Sequence, residues 1–155
     1  DDGDPQTSKV MTKRLLKAAG VAIWARVTAG CATALPPEMS DARQAVQAAR
    51  DAGAPLHTPA VMGTAEQDLT QAEHQLTERD YKSAREDAVA AKQEAVRARN
   101  MALLLAQAKQ AVQKADEQGA LTQVTRDWLA KAKAASDAGD EEEVARTSKQ
   151  ARQEA

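Results

Sequence analysis

From Asp80 to Gln118 the chain runs without glycine or proline, and alanine recurs at Ala84, Ala88, Ala91, Ala95, Ala98 and Ala102, followed by Leu105 and Val112. The steps alternate between four and three residues, a period of 3.5 that marks the seam of a coiled-coil-like helix. Lys109 breaks the series once. At 1.5 Å per residue such a helix would be roughly 58 Å long. Alanine at most seam positions buries little area per layer. It does let helix axes approach to the short end of the ~8–10 Å range. The seam therefore predicts a slender, closely spaced antiparallel helix pair rather than a wide bundle.

Composition narrows the choice further. The chain holds 36 alanines but only 22 Leu, Ile and Val residues, and Phe is absent. Large aliphatics are thus well under the ~20% of ordinary globular packing, while Ala, Glu, Lys, Leu and Arg dominate as they do in long helices. Trp24, Trp128 and Tyr81 are the only aromatics, too few, with the scarce β-branched residues, to build a sheet. The single cysteine excludes a disulfide scaffold. The expected class is all-α: elongated antiparallel helical hairpins or a bundle around one long central helix.

An internal duplication is legible within it. Ala42-Arg43-Gln44-Ala45-Val46-Gln47 recurs as Ala108-Lys109-Gln110-Ala111-Val112-Gln113, an offset of 66, and both run on to a Gly-Ala pair, Gly53-Ala54 and Gly119-Ala120. Lys92-Gln93-Glu94-Ala95 recurs as Arg152-Gln153-Glu154-Ala155, an offset of 60. A helical domain over 40–155 would then contain one copy at about 40–98 and a second at about 102–155. The six extra residues of the first copy are expected in a loop around Pro55 to Thr64. Each copy reads as helix, turn, helix, turn, helix. Ser40, Thr58 (before Pro59), Asp80 and Asp140 are expected N-caps. Gly53, Gly119 and Gly139 suit helix ends, and Glu141, Glu142 and Glu143 suit a first turn. Val61, Ala65, Leu69, Ala72 and Leu76 form one apolar stripe; Leu121, Val124, Trp128, Ala132 and Ala135 form another. Trp128, Leu129 and Leu103 to Leu105 are expected as a local plug near the loops.

The N-terminal third has a different logic. Met11 is the first methionine, and 1–10 read as upstream sequence. Thr12-Lys13-Arg14 gives a basic start, Ala18 to Ala25 an apolar run, and Thr28-Ala29-Gly30 small residues before Cys31. Eight apolar residues cannot span a bilayer but fit the core of an export signal over 11–30. Thr28-Ala29-Gly30-Cys31 resembles the lipobox of bacterial lipoproteins. The resemblance implies that a peptidase recognises Thr28, Ala29 and Gly30 and that Cys31 is acylated and becomes the first residue, an anchor held by more than one chain. Ala32, where Asp would retain such a protein at the inner membrane, points to the outer membrane. Arg26 and Thr28 depart from the pattern, a charge close to the cysteine and a threonine where leucine is commonest. Leu35-Pro36-Pro37-Glu38 closes a tether over 31–39, since Pro-Pro cannot continue a helix.

Chemistry is sparse. The net charge is −2, so nothing steers the chain to nucleic acid; without 1–30 the count becomes 16 basic against 20 acidic residues. His57, in the Pro-flanked loop, and His74 have no Cys or His at i+3 or i+4, so no metal site forms, and both read as solvated surface histidines. No phosphate-cradling Gly loop, G-x-S-x-G or H-E-x-x-H occurs. The carboxylates alternate with Lys and Arg as a solvated face. No catalytic residue, metal or cofactor is predicted. Tyr81, read first as a packing residue at a helix start, and Trp128 are the candidate partner contacts, near a shared groove.

From Gly53-Ala54-Pro55-Leu56-His57-Thr58-Pro59 to Ala98 the chain resembles a family of small Ala-rich bacterial envelope lipoproteins of unknown function. Leu69, Ala72, Leu76, Asp80-Tyr81, Ala84, Ala88 and Ala91 carry the resemblance over about 40–100, with a weaker pass to 155. His57-Thr58-Pro59 stands where the family has Tyr-Ala-Pro. Some relatives continue into an OmpA-like peptidoglycan-binding domain; no such segment is read here, so wall binding is not carried over. The Leu-x-x-Ala and Asp-Tyr-x-x-Ala rhythm is also similar to tetratricopeptide units, without their 34-residue period. The expected protein is a lipid-anchored, periplasm-facing, non-enzymatic structural or adaptor lipoprotein of the outer membrane. It would bind an envelope protein or itself. The alternatives are a helical-repeat protein- or peptide-binding module and a soluble cytosolic coiled coil.

Overall fold

The computed structural model describes residues 36–155. Six helices follow one another: α1 Pro37–Asp51, α2 Ala54–His57, α3 Pro59–Thr77, α4 Tyr81–Glu117, α5 Gln123–Asp137 and α6 Glu141–Gln153. No strand occurs among the described residues, so the all-α class holds. The long central helix is α4, with 37 residues and a length of about 55 Å.

The expected helix pair gives way to three helices per layer. Salt bridges from Arg85 to Glu38 and from Lys92 to Asp41 show α1 running in the same direction as α4, with α3 returning between them. The second half of the chain repeats the path, with α4 going out, α5 back and α6 out. The pattern of packing also repeats. In the first bundle α3 on α4 is the largest contact, α1 on α4 next, and α1 on α3 the smallest; the order for α5 on α6, α4 on α6 and α4 on α5 is the same. Alanine explains the extra helix. Ala84, Ala88, Ala91, Ala95, Ala98 and Ala102 are all wholly buried, and side chains that short leave room for two neighbouring axes instead of one.

The helix α4 is therefore the third helix of one bundle and the first of the next. Its buried Leu105, Ala108, Val112 and Ala115 correspond, at the offset of 66, to Met39, Ala42, Val46 and Ala49, which are buried on α1. In α6, buried Val144, Ser148 and Ala151 correspond, at the offset of 60, to Ala84, Ala88 and Ala91. The seam passes around Lys109 by a second consecutive step of three, Ala102 to Leu105 to Ala108, which rotates the buried face as the helix changes bundle. One continuous core nonetheless joins the two, from Val46 and Met62 through Met101 and Leu105 to Ala132 and Val144.

Several local expectations are corrected. α1 begins at Pro37, not after Ser40, with Pro36 in the cap position and no side-chain cap. Proline is tolerated there because a first-turn N–H has no helical partner anyway. Residues 37–39 thus belong to the fold, and Met39 is wholly buried. The stretch Pro55 to Thr64 is not a loop but α2 and the start of α3. The six-residue difference between copies is split. Gly53 precedes the cap Thr58 by five residues where Gly119 precedes Thr122 by three. The remaining four are one extra helical turn in α3, which has 19 residues against 15 in α5. Thr58 occupies the cap position but makes no capping bond. Its buried hydroxyl lies 3.1 Å from the Ala54 carbonyl and 3.3 Å from that of Ala98, fastening α2 to α4. Val124 is exposed and Thr125 buried in its place, because the Thr125 hydroxyl donates to the Glu154 carbonyl at 2.9 Å. The plug divides. Trp128 and Leu129 lie partly buried over Ala108, Val112 and Ala151, Leu105 enters the main core, and Leu103 faces solvent.

The other caps form as the sequence predicts. Asp80 accepts from the Ser83 amide and Asp140 from the Glu143 amide. Gly53, Gly119 and Gly139 end helices at positive φ. The equivalent of Gly139 at the end of α3 is Arg79, held at φ 65. The wrap is the same at both, with the Asp80 amide on the Gln75 carbonyl and the Asp140 amide on the Ala135 carbonyl. A left-handed non-glycine residue costs about 1–2 kcal/mol, which the greater unfolded freedom of glycine partly offsets. Arg79→Gly is expected to raise stability by about 1 kcal/mol in urea titration. Ala95→Leu, which forces a large side chain between closely spaced axes, is expected to lower it by about 1–3 kcal/mol.

Candidate interaction surface

The face of α4 turned away from the core is not uniformly polar. Tyr81, Val89, Val96 and Leu103 are 51, 42, 41 and 40% exposed. They recur at steps of eight, seven and seven, so they line up along one side of a helix. Arg85, Lys92 and Arg99 fall between them at steps of four and three. The exposed seam thus alternates apolar and cationic residues over about 33 Å.

A groove runs beside this seam, walled by α1. Its upper part is lined by Glu38, Tyr81, Arg85 and Val89, and its lower part by Asp41, Val89, Lys92 and Val96. Arg85 donates to Glu38 Oε1 through Nε at 3.0 Å and Nη2 at 2.8 Å. Lys92 Nζ donates to Asp41 Oδ2 at 2.8 Å. The Glu38 carboxyl is held below its ordinary pKa by a backbone amide at the start of α1 and then by Arg85. Its Oε2 is buried without a partner. Arg85 and Lys92 keep about half or more of their side-chain surface open, at 61 and 48%. Exposed pairs of this kind contribute little to stability, about 0–1 kcal/mol.

The second bundle shows which of these residues the fold requires. Arg152 donates to Gln107 Oε1 at 2.6 Å, and these residues correspond, at the offsets of 60 and 66, to Lys92 and Asp41. The cross-link between neighbouring helices is therefore repeated. The apolar seam is not. Glu141 and Lys149 occupy the positions equivalent to Tyr81 and Val89. Tyr81 and Val89 are accordingly not demanded by packing. The expectation that Tyr81 packs at a helix start is corrected, since it opens α4 but points to solvent.

Tyr81 and Trp128 do not share a groove. Trp128 lies over Ala108 and Val112, which places it roughly 40 Å from Tyr81 along α4. Lys131 Nζ stacks 4.5 Å from its ring. Cys31 and its neighbours Thr28, Ala29 and Gly30 lie outside the described residues. The seam of Tyr81, Val89, Val96 and Leu103 was missed in the sequence because the alanine seam of the same helix has the same period and dominates it.

Residues 37–104 match the profile of a family described as Domain of unknown function (DUF4398). Those residues belong to that family. The DUF4398 segment comprises α1, α2 and α3 with the greater part of α4, and so contains the whole exposed seam. Neither the curated proteins nor the solved structures yielded a match. Among the described residues no helix is long and apolar enough to cross a membrane. No group of three His, Cys, Asp or Glu among them could hold a metal ion.

His57 also departs from expectation. It is not a solvated surface residue but ends α2, partly buried, with Nδ1 3.2 Å from Lys109 Nζ. Its backbone carbonyl accepts from the Ser136 hydroxyl at 2.6 Å, so α2, α4 and α5 meet there. Burial, and then Lys109, lower its pKa. The folded protein therefore binds this proton less readily than the unfolded chain, and stability contributed by neutral His57 is lost as pH falls below ~6.5. Asp68, raised by burial and by Asp87 and Glu94, acts in the opposite sense at lower pH. Urea midpoints are expected to fall between pH 7 and pH 5.5, and His57→Gln is expected to flatten that slope.

Proposed function

We propose that this protein is a lipid-anchored structural or adaptor protein of the bacterial envelope, non-enzymatic, whose helical domain faces the periplasm from the outer membrane. The observation that carries the reading is the order of the N-terminal signals. A basic start, a short apolar run and small residues precede Cys31, and a helical domain follows within a few residues. A thiol is the group that can carry a diacylglycerol thioether, and two or three acyl chains give stable anchoring. Ala32 supports the outer membrane as destination. The helical domain supports an adaptor role because its distinctive surface is a linear seam suited to docking another helix.

A helical-repeat binding module without an anchor is the second reading. It is favoured by the seam of Tyr81, Val89, Val96 and Leu103, which the second bundle shows to be dispensable for packing.

Intact mass separates the two. The chain with its N-terminal segment, expressed in a bacterial host, is expected to yield a product starting at Cys31 and carrying acyl chains. The Cys31→Ala variant is expected to lack both changes. An unprocessed, unacylated chain in the soluble fraction would overturn the anchor and leave a soluble binding module or coiled coil.

A further inference from the structure

We propose that the exposed seam of α4 docks an acidic amphipathic helix from another protein, with apolar residues at one heptad position and carboxylates at the other. This deepens the adaptor reading by giving the chemistry of its partner. It does not depend on the anchor, so the two can fail separately.

The seam has the geometry of half a helix pair. Tyr81, Val89, Val96 and Leu103 supply one apolar residue per heptad over about 33 Å. Scattered exposed aliphatics are ordinary on protein surfaces, but four in one line beside a groove form a continuous strip. The fold does not need them, since Glu141 and Lys149 occupy the positions equivalent to Tyr81 and Val89 in the second bundle.

Charge selects the occupant. The intervening seam positions are Arg85, Lys92 and Arg99, all cationic and all exposed. Arg85 engages Glu38 through Nε and Nη2 only, and Lys92 spends one donor on Asp41. Nη1 of Arg85 and two ammonium hydrogens of Lys92 thus remain for a second acceptor. A partner helix carrying Glu or Asp at its own intervening positions meets all three cations. A second copy of this chain does not. An antiparallel pair centred near Lys92 and Gln93 aligns Val89 of one copy with Val96 of the other. It also sets Arg85 against Arg99 and brings the two Lys92 side chains together. A parallel pair sets each cation against itself. Like charges at such positions oppose pairing.

The test uses the full chain and a synthetic helix of about four heptads with leucine and glutamate at its two seam positions. A second peptide carries lysine in place of glutamate. The glutamate peptide is expected to bind, more weakly as salt rises, and the lysine peptide not to bind. Arg99→Glu is expected to weaken binding by about tenfold or more. The double variant Val89→Lys, Val96→Lys is expected to weaken it as much, although it adds positive charge. Lysine at these positions is compatible with the fold, as Lys149 shows, and unchanged circular dichroism would verify this. Equal binding of the two peptides would overturn the proposal. So would binding indifferent to Val89→Lys, Val96→Lys, which would reduce it to diffuse charge attraction. A dimeric native mass dissolved by that double variant would assign the face to a second copy instead.

Discussion

Close approach of helix axes along α4 is the constraint on which the rest depends. Alanine contributes little transfer free energy per residue, so this core cannot rely on large side chains interlocking. It relies instead on many short side chains in wholly buried positions, with Met39, Met62, Met101 and Leu105 filling the wider spaces. The same shortness lets α1 and α3 both lie against one half of α4, and α5 and α6 against the other. A seam of leucines would have held one partner helix at a larger distance and left the other uncovered.

Class, helix order and most helix ends were readable because each rests on local chemistry. Asp80 and Asp140 cap their helices, and Gly53, Gly119 and Gly139 leave theirs at positive φ. Two kinds of feature were not readable. Pro36-Pro37 looked like the end of a tether, yet proline is equally at home opening a helix, and only the burial of Met39 decides between the two. The number of helices around α4 depends on the hand-over from one seam to another at Leu105 and Ala108. A single seam with one fault at Lys109 conceals it. His57 was misread for a similar reason. Nothing near it in sequence reveals Lys109 or Ser136, which arrive from α4 and α5.

The two bundles are alike inside and unlike outside. Buried positions correspond at offsets of 60 and 66, and even the link between Lys92 and Asp41 has its counterpart in Arg152 and Gln107. The apolar residues on the outer face of α4 have no such counterpart. Packing constrains the interior of both copies to the same solution, while the surface of each is free to serve a different contact. The candidate site was therefore harder to read in the sequence than the core. It consists of a few valines, a leucine and a tyrosine in a helix whose alanines account for nearly all of its regularity.

Because α4 crosses from one bundle to the next without a linker, it also works as an angular ruler. Each residue of an α-helix advances the chain by about 1.5 Å and turns it by about 100°. A single residue inserted between Leu105 and Ala108 would leave both bundles internally intact while swinging one around the other by more than a quarter turn. It would pull the Ser136 hydroxyl off the His57 carbonyl and Arg97 off the Gly139 carbonyl. Loops elsewhere in the chain can lengthen without such a penalty, as the extra turn in α3 illustrates. This helix cannot, and its length in residues sets the direction in which each outer face looks.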